Sequence, residues 1–324
     1  MARPRVAYYE ILKWQPRSVE LLEEHFDLVR LQSPDDDTPE IIDSLDGLIP
    51  PLNYLYGKEK IDTLNGLKVM GSNCTGAPHI DVEYAKSKGI KVMYLRDEKA
   101  FLRTITSTAE LTWALVMAIT RRVPAVFDAV CGGRWNRYDW SSPRMMSRMV
   151  LGIVGPGRLG SMVARYGKVF EMRVRYYTPS KVPPDVEGLE RAASLEELVS
   201  TCDIISLHSH LPADGKCMFD AAMLAKFKAG SYLVNTARGP LIDGPALIDA
   251  LERGTIAGAA IDVHPTEFDP GFRENLGRDP LILYAREHDN LILVPHIGGC
   301  TLDSWQKTEE YVIRMMVDAF EGRR

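Results

Sequence analysis

Positive charge is in deficit in this chain: 39 Lys and Arg stand against 44 Asp and Glu, a formal net charge of −5. Phosphate-rich partners need a basic field, so nucleic acid and anionic membrane surfaces are disfavoured. No apolar run approaches the roughly 20 residues that span a bilayer. The start, Met1-Ala-Arg-Pro-Arg-Val-Ala-Tyr-Tyr, lacks the continuous apolar segment of a signal peptide. The five cysteines (Cys74, Cys131, Cys202, Cys217 and Cys300) are scattered and form no C-x-x-C. Reduced, mostly buried thiols in a cytoplasmic protein are expected rather than a disulfide frame. Histidines and cysteines do not cluster at metal-ligand spacing, so no metal is expected. A G-x-S-x-G elbow is missing, which argues against serine-hydrolase chemistry. Repeats of solenoid period and low-complexity tracts are also lacking.

What remains is an ordinary globular composition, 45% hydrophobic and 26% charged over 324 residues, long enough for about two domains. Its most informative stretch is Val150-Leu-Gly-Ile-Val-Gly-Pro-Gly-Arg-Leu-Gly160. An apolar run at 149–154 enters a turn with Gly155, Gly157 and Gly160 spaced G-x-G-x-x-G, and a helical pattern follows from Ser161. Gly155 permits a tight turn, Gly157 lets a pyrophosphate approach the backbone, and Gly160 lets helix pack on strand. The amides of that helix start would face the phosphates, with Arg158 and Leu159 beside them. A glycine-rich turn can be purely structural, but strand before and helix after favour dinucleotide binding.

Strands alternate with helices on both sides of this motif. Before it, strands are expected at 5–10, within 46–53, at 67–71 and at 90–95, with helices at 18–26 and 82–88. The acidic run Asp35-Asp36-Asp37 reads as a solvated loop. Ser107-Thr-Ala-Glu110 reads as a capping box opening a strongly apolar helix over 111–119. The segment 128–148 is irregular and carries Trp135, Trp140, Met145 and Met146, suited either to a core or to a subunit interface. After the motif come strands at 150–154, 173–177, 204–208, 232–235, 259–263 and 291–294, with helices between them, and an amphipathic helix at 304–320. Such alternation predicts α/β architecture with parallel, doubly wound sheets.

Three residues stand just beyond strand ends of the second set: Arg238, Glu267 and His296. In open α/β sheets those loops collect the ligand. Hydride transfer at a hydroxy or keto carbon needs a group that moves the alcohol proton, which suits an imidazole titrating near neutrality. It also needs an anchor for a carboxylate, which suits a guanidinium fork. A carboxylate beside the imidazole raises its pKa and orients it. Each residue alone has a bland reading, as a loop histidine, a surface charge or a solvated acid. Together, behind the glycine motif, they favour catalysis. His25 and His288 read as surface residues, and His208 and His210 as lying near the cofactor edge.

With these motifs the sequence resembles the D-isomer-specific 2-hydroxyacid dehydrogenases. The resemblance rests on Gly155-Pro-Gly-Arg-Leu-Gly160, Asp203-Ile-Ile-Ser-Leu-His208, Asn235-Thr-Ala-Arg-Gly239, Ala260-Ile-Asp-Val263 with Pro265-Thr-Glu267, and Pro295-His-Ile-Gly-Gly299. It implies an NAD(P)-dependent oxidoreductase for a small 2-hydroxy or 2-keto acid. His296 would be the acid/base, Glu267 its partner, and Arg238 the carboxylate anchor. The amides of Thr75 and Gly76 would hold the substrate as well. Asp262, Thr236, Ala237, His208 and Gly298 would lie along the cofactor. A Rossmann-type cofactor domain (105–296) would be inserted into a flavodoxin-like substrate domain (1–104 with 297–324). The resemblance also implies a homodimer built on the 111–119 helix and the segment after it. A catalytically silent, dinucleotide-sensing regulator or corepressor of the same fold is the alternative.

The sequence departs from that family in ways that bear on specificity. Thr178 stands where NAD-using relatives carry an acid that holds the ribose hydroxyls, and Ser180 and Lys181 follow. These residues, with Arg175 if it points the same way, favour NADP over NAD. At 95–103 the connection is about four residues longer than usual and holds Arg96, Lys99 and Arg103. A solvated charged loop accounts for it. The functional alternative is a contact, through Arg103, to a second anionic group on the substrate.

Overall fold

Short runs rich in Val, Ile and Leu, closed by glycine or a polar turn, form strands too short to pair locally, and helices cover the crossovers between them. The computed structural model describes residues 3–140, 144–180, 185–212, 215–269 and 271–324. The chain divides into two compact units, Met1–Ile105 with Cys300–Arg324, and Thr106–Gly299.

The first unit holds β1 (Arg5–Tyr9), β2 (Asp27–Leu31), β3 (Gly47–Leu48), β4 (Val69–Ser72) and β5 (Lys91–Tyr94), all parallel, in the order β2-β1-β3-β4-β5. That is the flavodoxin-like order. Alternation along β1 sends Val6 and Tyr8 to one face and Ala7 and Tyr9 to the other, each into its own cluster. The terminal helix Leu302–Phe320 belongs here, packing Val312, Ile313, Met316 and Ala319 on the Val6, Tyr8 and Val69 face.

The second unit holds β6 (Val150–Val154), β7 (Arg173–Tyr177), β8 (Glu190–Arg191), β9 (Ile204–Leu207), β10 (Ser231–Asn235), β11 (Ile256–Ile261) and β12 (Leu291–Leu293). All pair in parallel, in the order β12-β11-β10-β9-β6-β7-β8. The order reverses between β6 and β9, the switch point at which a doubly wound sheet opens its ligand crevice. Every strand-end loop named above as a candidate lies on the carboxyl side of this sheet or of the first.

Several local expectations are corrected. Ser107 does not cap its helix: the helix runs Ser107–Thr120 behind Thr106, whose hydroxyl donates to Glu110 Oε1 at 2.5 Å. The segment after it contains a helix, Val123–Cys131, and two short 3-10 turns. Asp37 is not a solvated charge, because its carboxylate is buried and accepts from the Tyr9 hydroxyl and Lys60. Of the five cysteines, all free, only Cys202 is fully buried, and Cys131 and Cys300 are exposed. Among the described residues no helix is long and apolar enough to cross a membrane, and no group of His, Cys, Asp and Glu is arranged to hold a metal.

Candidate active site

The glycine turn separates folding requirements from ligand requirements. Gly155 has φ +83°, and a Cβ there would meet the Ser209 backbone at 2.9 Å. A Cβ on Gly160 would lie 2.5 Å from the Gly155 carbonyl. Both glycines are needed by the protein itself. Gly157 is not: its φ is −74°, and an added Cβ would meet no protein atom within 4 Å. A glycine the fold does not require, at the N-cap of the helix Arg158–Val169 where no side chain caps the amides, fits close approach of a pyrophosphate. Arg158, half-buried with its pKa drawn down by burial, and Leu159 open that helix. His208 follows β9, its Nε2 2.8 Å from Ser206 Oγ, and burial pushes its pKa down to about 3.

At the end of β7, the Ser180 amide donates to Thr178 Oγ1 at 3.2 Å. Arg175 does not point to this turn. Its guanidinium pairs with Glu197 and donates to Thr201 Oγ1. Lys181 lies outside the described residues.

The loops after β10, β11 and β12 are fixed by backbone and side-chain bonds. Asn235 accepts from the Ala237 amide at 3.0 Å and donates to the Arg238 carbonyl at 2.8 Å, which folds the 235–238 turn. Thr236 is buried with its hydroxyl 2.7 Å from that of Thr112. Any Cβ on Gly239 would overlap the His264 carbonyl, so the Arg238 loop and the loop leading to Glu267 pack in direct contact. His264, which sequence reasoning passed over, pins that second loop. Its Nδ1 accepts from the Thr266 amide at 3.3 Å, and its Nε2 lies 3.1 Å from Asp279, the cap of the helix Pro280–Glu287.

Asp262 holds the third loop. It is 1% exposed, and its carboxylate accepts from the Ile297 and Gly298 amides at 2.6 and 2.9 Å. Burial raises its pKa, against the pull of those two amides. Gly298 is glycine for packing, since a Cβ would lie 2.8 Å from Asp262 Oδ2. His296 adopts φ +53°, a conformation uncommon outside glycine, locked by its amide donating to the carbonyls of Asp262 at 2.8 Å and Val294 at 3.0 Å. Its Nδ1 sits 3.0 Å from both Glu267 oxygens. The Glu267 hydrogen bond raises the imidazole pKa, burial works against it, and the nearby Arg238 charge lowers it further. Arg238 itself is exposed, with Nη1 donating to the Ala237 carbonyl at 2.6 Å. The structure thus brings His296, Glu267 and Arg238 together on three adjacent strand ends. An imidazole whose Nδ1 proton is held by a carboxylate presents Nε2 for proton transfer, beside a guanidinium able to hold an acid.

Residues 113–298 match the D-isomer specific 2-hydroxyacid dehydrogenase NAD binding domain. The chain belongs to that family. It is 31% identical to a glyoxylate reductase of Thermofilum pendens, over 99% of this chain and 93% of the relative. A D-3-phosphoglycerate dehydrogenase of Haemophilus influenzae is 35% identical over 76% of this chain and 57% of its own length. The crystal structure of D-lactate dehydrogenase from Aquifex aeolicus, complexed with NAD and lactic acid, superposes with a TM-score of 0.83. It is 26% identical and covers 98% of this chain and 96% of that one. The chain is an NAD(P)-dependent oxidoreductase acting on the CH–OH group of small hydroxy acids or the matching keto acids.

Thr75 and Gly76 lie in the first unit, beyond β4, in a turn whose Cys74 carbonyl accepts from the Leu95 amide at 3.1 Å. Arg103 is exposed at the end of the helix Lys99–Leu102. The 95–103 connection has a packing role of its own. Phe101 stacks on Tyr311 at 4.0 Å, Leu95 and Leu102 are buried with Met315, and Glu98 accepts from Tyr311 and Arg324.

Proposed function

We propose that the chain reduces a small 2-keto acid, or oxidises the corresponding D-2-hydroxy acid, with His296 as the acid/base. The observation that carries this reading is the Nδ1 contact of His296 to both oxygens of Glu267 beside Arg238. When bound, the nicotinamide supplies or accepts the hydride. In the reductive direction His296 gives its Nε2 proton to the substrate oxygen, and Glu267 keeps the imidazole protonated and oriented. Arg238 holds the carboxylate and polarises the carbonyl. The backbone amides of Thr75 and Gly76 are assigned to substrate binding, and Met1–Ile105 with Cys300–Arg324 to the substrate domain. Arg103 is assigned to a second anionic group on the substrate. Arg103→Ala then raises KM for a dicarboxylate or phosphorylated keto acid far more than for a monocarboxylate, and equal effects refute it.

The cofactor assigned is NADP in preference to NAD. In support, the sequence holds no acid between Tyr177 and Asp185, so no carboxylate there repels a 2′-phosphate, and Thr178 and Ser180 offer donors. The glycines and Arg158, Leu159, His208, Thr236 and Ala237 line the same carboxyl edge. Asp262 and Gly298 act by holding the His296 turn. A kcat/KM ratio about a hundredfold in favour of NADH overturns the NADP assignment.

The protein is further assigned as a cytoplasmic homodimer. Support for the dimer comes from the exposed Val123, Phe127, Val130, Trp135 and Tyr138, an apolar set following the Ser107–Thr120 helix. Sedimentation should give twice the chain mass, and Phe127→Glu should give monomer. The deciding experiment is a panel of 2-keto acids, read at the nicotinamide absorbance band with each cofactor. Binding of cofactor with no turnover across the panel leaves the silent dinucleotide sensor instead.

A further inference from the structure

Four arginines lie along the β7–β8 side of the second unit. Arg165 pairs with Asp185 at 3.4 Å, Arg173 with Glu190, and Arg175 with Glu197. Arg191, on β8, makes no ion pair among the described residues. Its Nη2 instead donates to the carbonyls of Thr178 at 3.0 Å and Ser180 at 3.1 Å, the two residues that follow β7. Carbonyl acceptors orient a guanidinium without cancelling its charge, whereas the carboxylates on the other three do both. Of the five N–H donors in the fork, the two on Nη2 are used by the turn, which leaves those on Nη1 and Nε. The nearest acid behind this turn in sequence, Asp185, is held by Arg165.

In a doubly wound sheet the end of the second strand meets the ribose carrying the 2′ position, where a phosphate or a hydroxyl is read. We propose that Arg191 is the residue that reads the 2′-phosphate of NADP, with Nη2 stapling the 178–180 turn and the rest of the fork turned to the phosphate. This rests on the NADP preference argued above, and it replaces Arg175, whose charge is already spent on Glu197. A dianionic phosphate monoester beside a prepositioned guanidinium gains a charge-assisted, two-point contact that a ribose hydroxyl does not.

The test needs no turnover. Adenosine 2′,5′-bisphosphate and AMP are titrated calorimetrically into the full chain, into Arg191→Ala and into Arg191→Lys, with melting temperatures confirming that each is folded. The parent should bind the bisphosphate at least tenfold more tightly than AMP. Arg191→Ala should bring the two within about threefold by weakening the bisphosphate alone, and Arg191→Lys should keep part of the difference. A parent that discriminates while Arg191→Ala discriminates equally overturns the assignment to Arg191 and leaves the NADP reading standing. Loss of both ligands alike also overturns it, since Arg191 is then only a staple of the turn. A parent that does not discriminate refutes the NADP reading and this inference with it.

Discussion

In the mechanism proposed for His296 the chemistry depends on one proton and on what holds the ring. With Nδ1 on Glu267, the imidazole has its pKa raised and its ring orientation fixed. His296→Ala should lower kcat by about two orders of magnitude or more, while the dissociation constant for the dinucleotide barely moves. Turnover near the parent rate would remove His296 from the mechanism. Glu267→Gln is more informative, because it keeps a hydrogen bond and deletes the charge. On the proposed mechanism reduction requires protonated His296, so its rate should fall as pH rises through the imidazole pKa. Removing Glu267 lowers that pKa, and the falling limb should move to lower pH. For oxidation, which needs the neutral ring, the rising limb should move the same way. A pH–rate profile in each direction checks both, and a fixed limb would mean that another group titrates. These residues were legible in the sequence because each follows an apolar strand in a short motif. Asp262 and His264 were not legible in their roles. Nothing in the letters tells that Asp262 turns its carboxylate to the 297–298 amides, or that His264 braces the Glu267 loop against Asp279.

Elements were readable where apolar residues ran together or alternated and unreadable where they did neither. β9 and β10 are buried along their whole length and β6 at every residue after Val150, and all three appear as apolar runs. β2, Asp-Leu-Val-Arg-Leu, is half exposed, and β8 is two exposed charged residues, so neither has the hydrophobic pattern that marks a strand. The glycine turn between β6 and its helix gives a prediction at this scale. Gly160→Ala places a Cβ 2.5 Å from the Gly155 carbonyl and should lower the melting temperature markedly. Gly157→Ala meets no protein atom within 4 Å, so its melting temperature should stay close to the parent. Dinucleotide affinity should nevertheless fall at least tenfold in Gly157→Ala, because the methyl would occupy the path of the pyrophosphate. Calorimetric scans with and without cofactor distinguish the two. Equal affinity in Gly157→Ala and the parent would show that the turn serves only the fold.

The whole molecule carries a buried and a half-buried histidine, His79 and His208, whose cost depends on pH. Burial holds His79, in the first unit, down to about 4, the Pro50 carbonyl opposing, and holds His208, in the second, down to about 3. Both folded-state pKa values lie below the unfolded value near 6.5, so between about pH 4 and 6.5 the unfolded chain binds protons that the folded chain refuses. Stability from these two groups is therefore present above pH 6.5 and lost as pH falls. At 1.36 kcal/mol per pH unit, each accounts for roughly 2 kcal/mol of loss by pH 5. His296 acts oppositely. Its raised pKa contributes stability below about 6.5 that disappears as pH rises through the folded value, so it offsets part of the acid-side loss. With two groups against one, the chain should be less stable at pH 5 than at pH 7.5. Urea unfolding at the two pH values measures this, and His79→Asn isolates one contribution. Whatever stability that variant loses at pH 7.5 through altered packing, its further loss between pH 7.5 and 5 should be smaller than the parent's by roughly 2 kcal/mol. An identical acid loss in parent and variant would mean that His79 is protonated in the folded state, and that the space around it admits a charge.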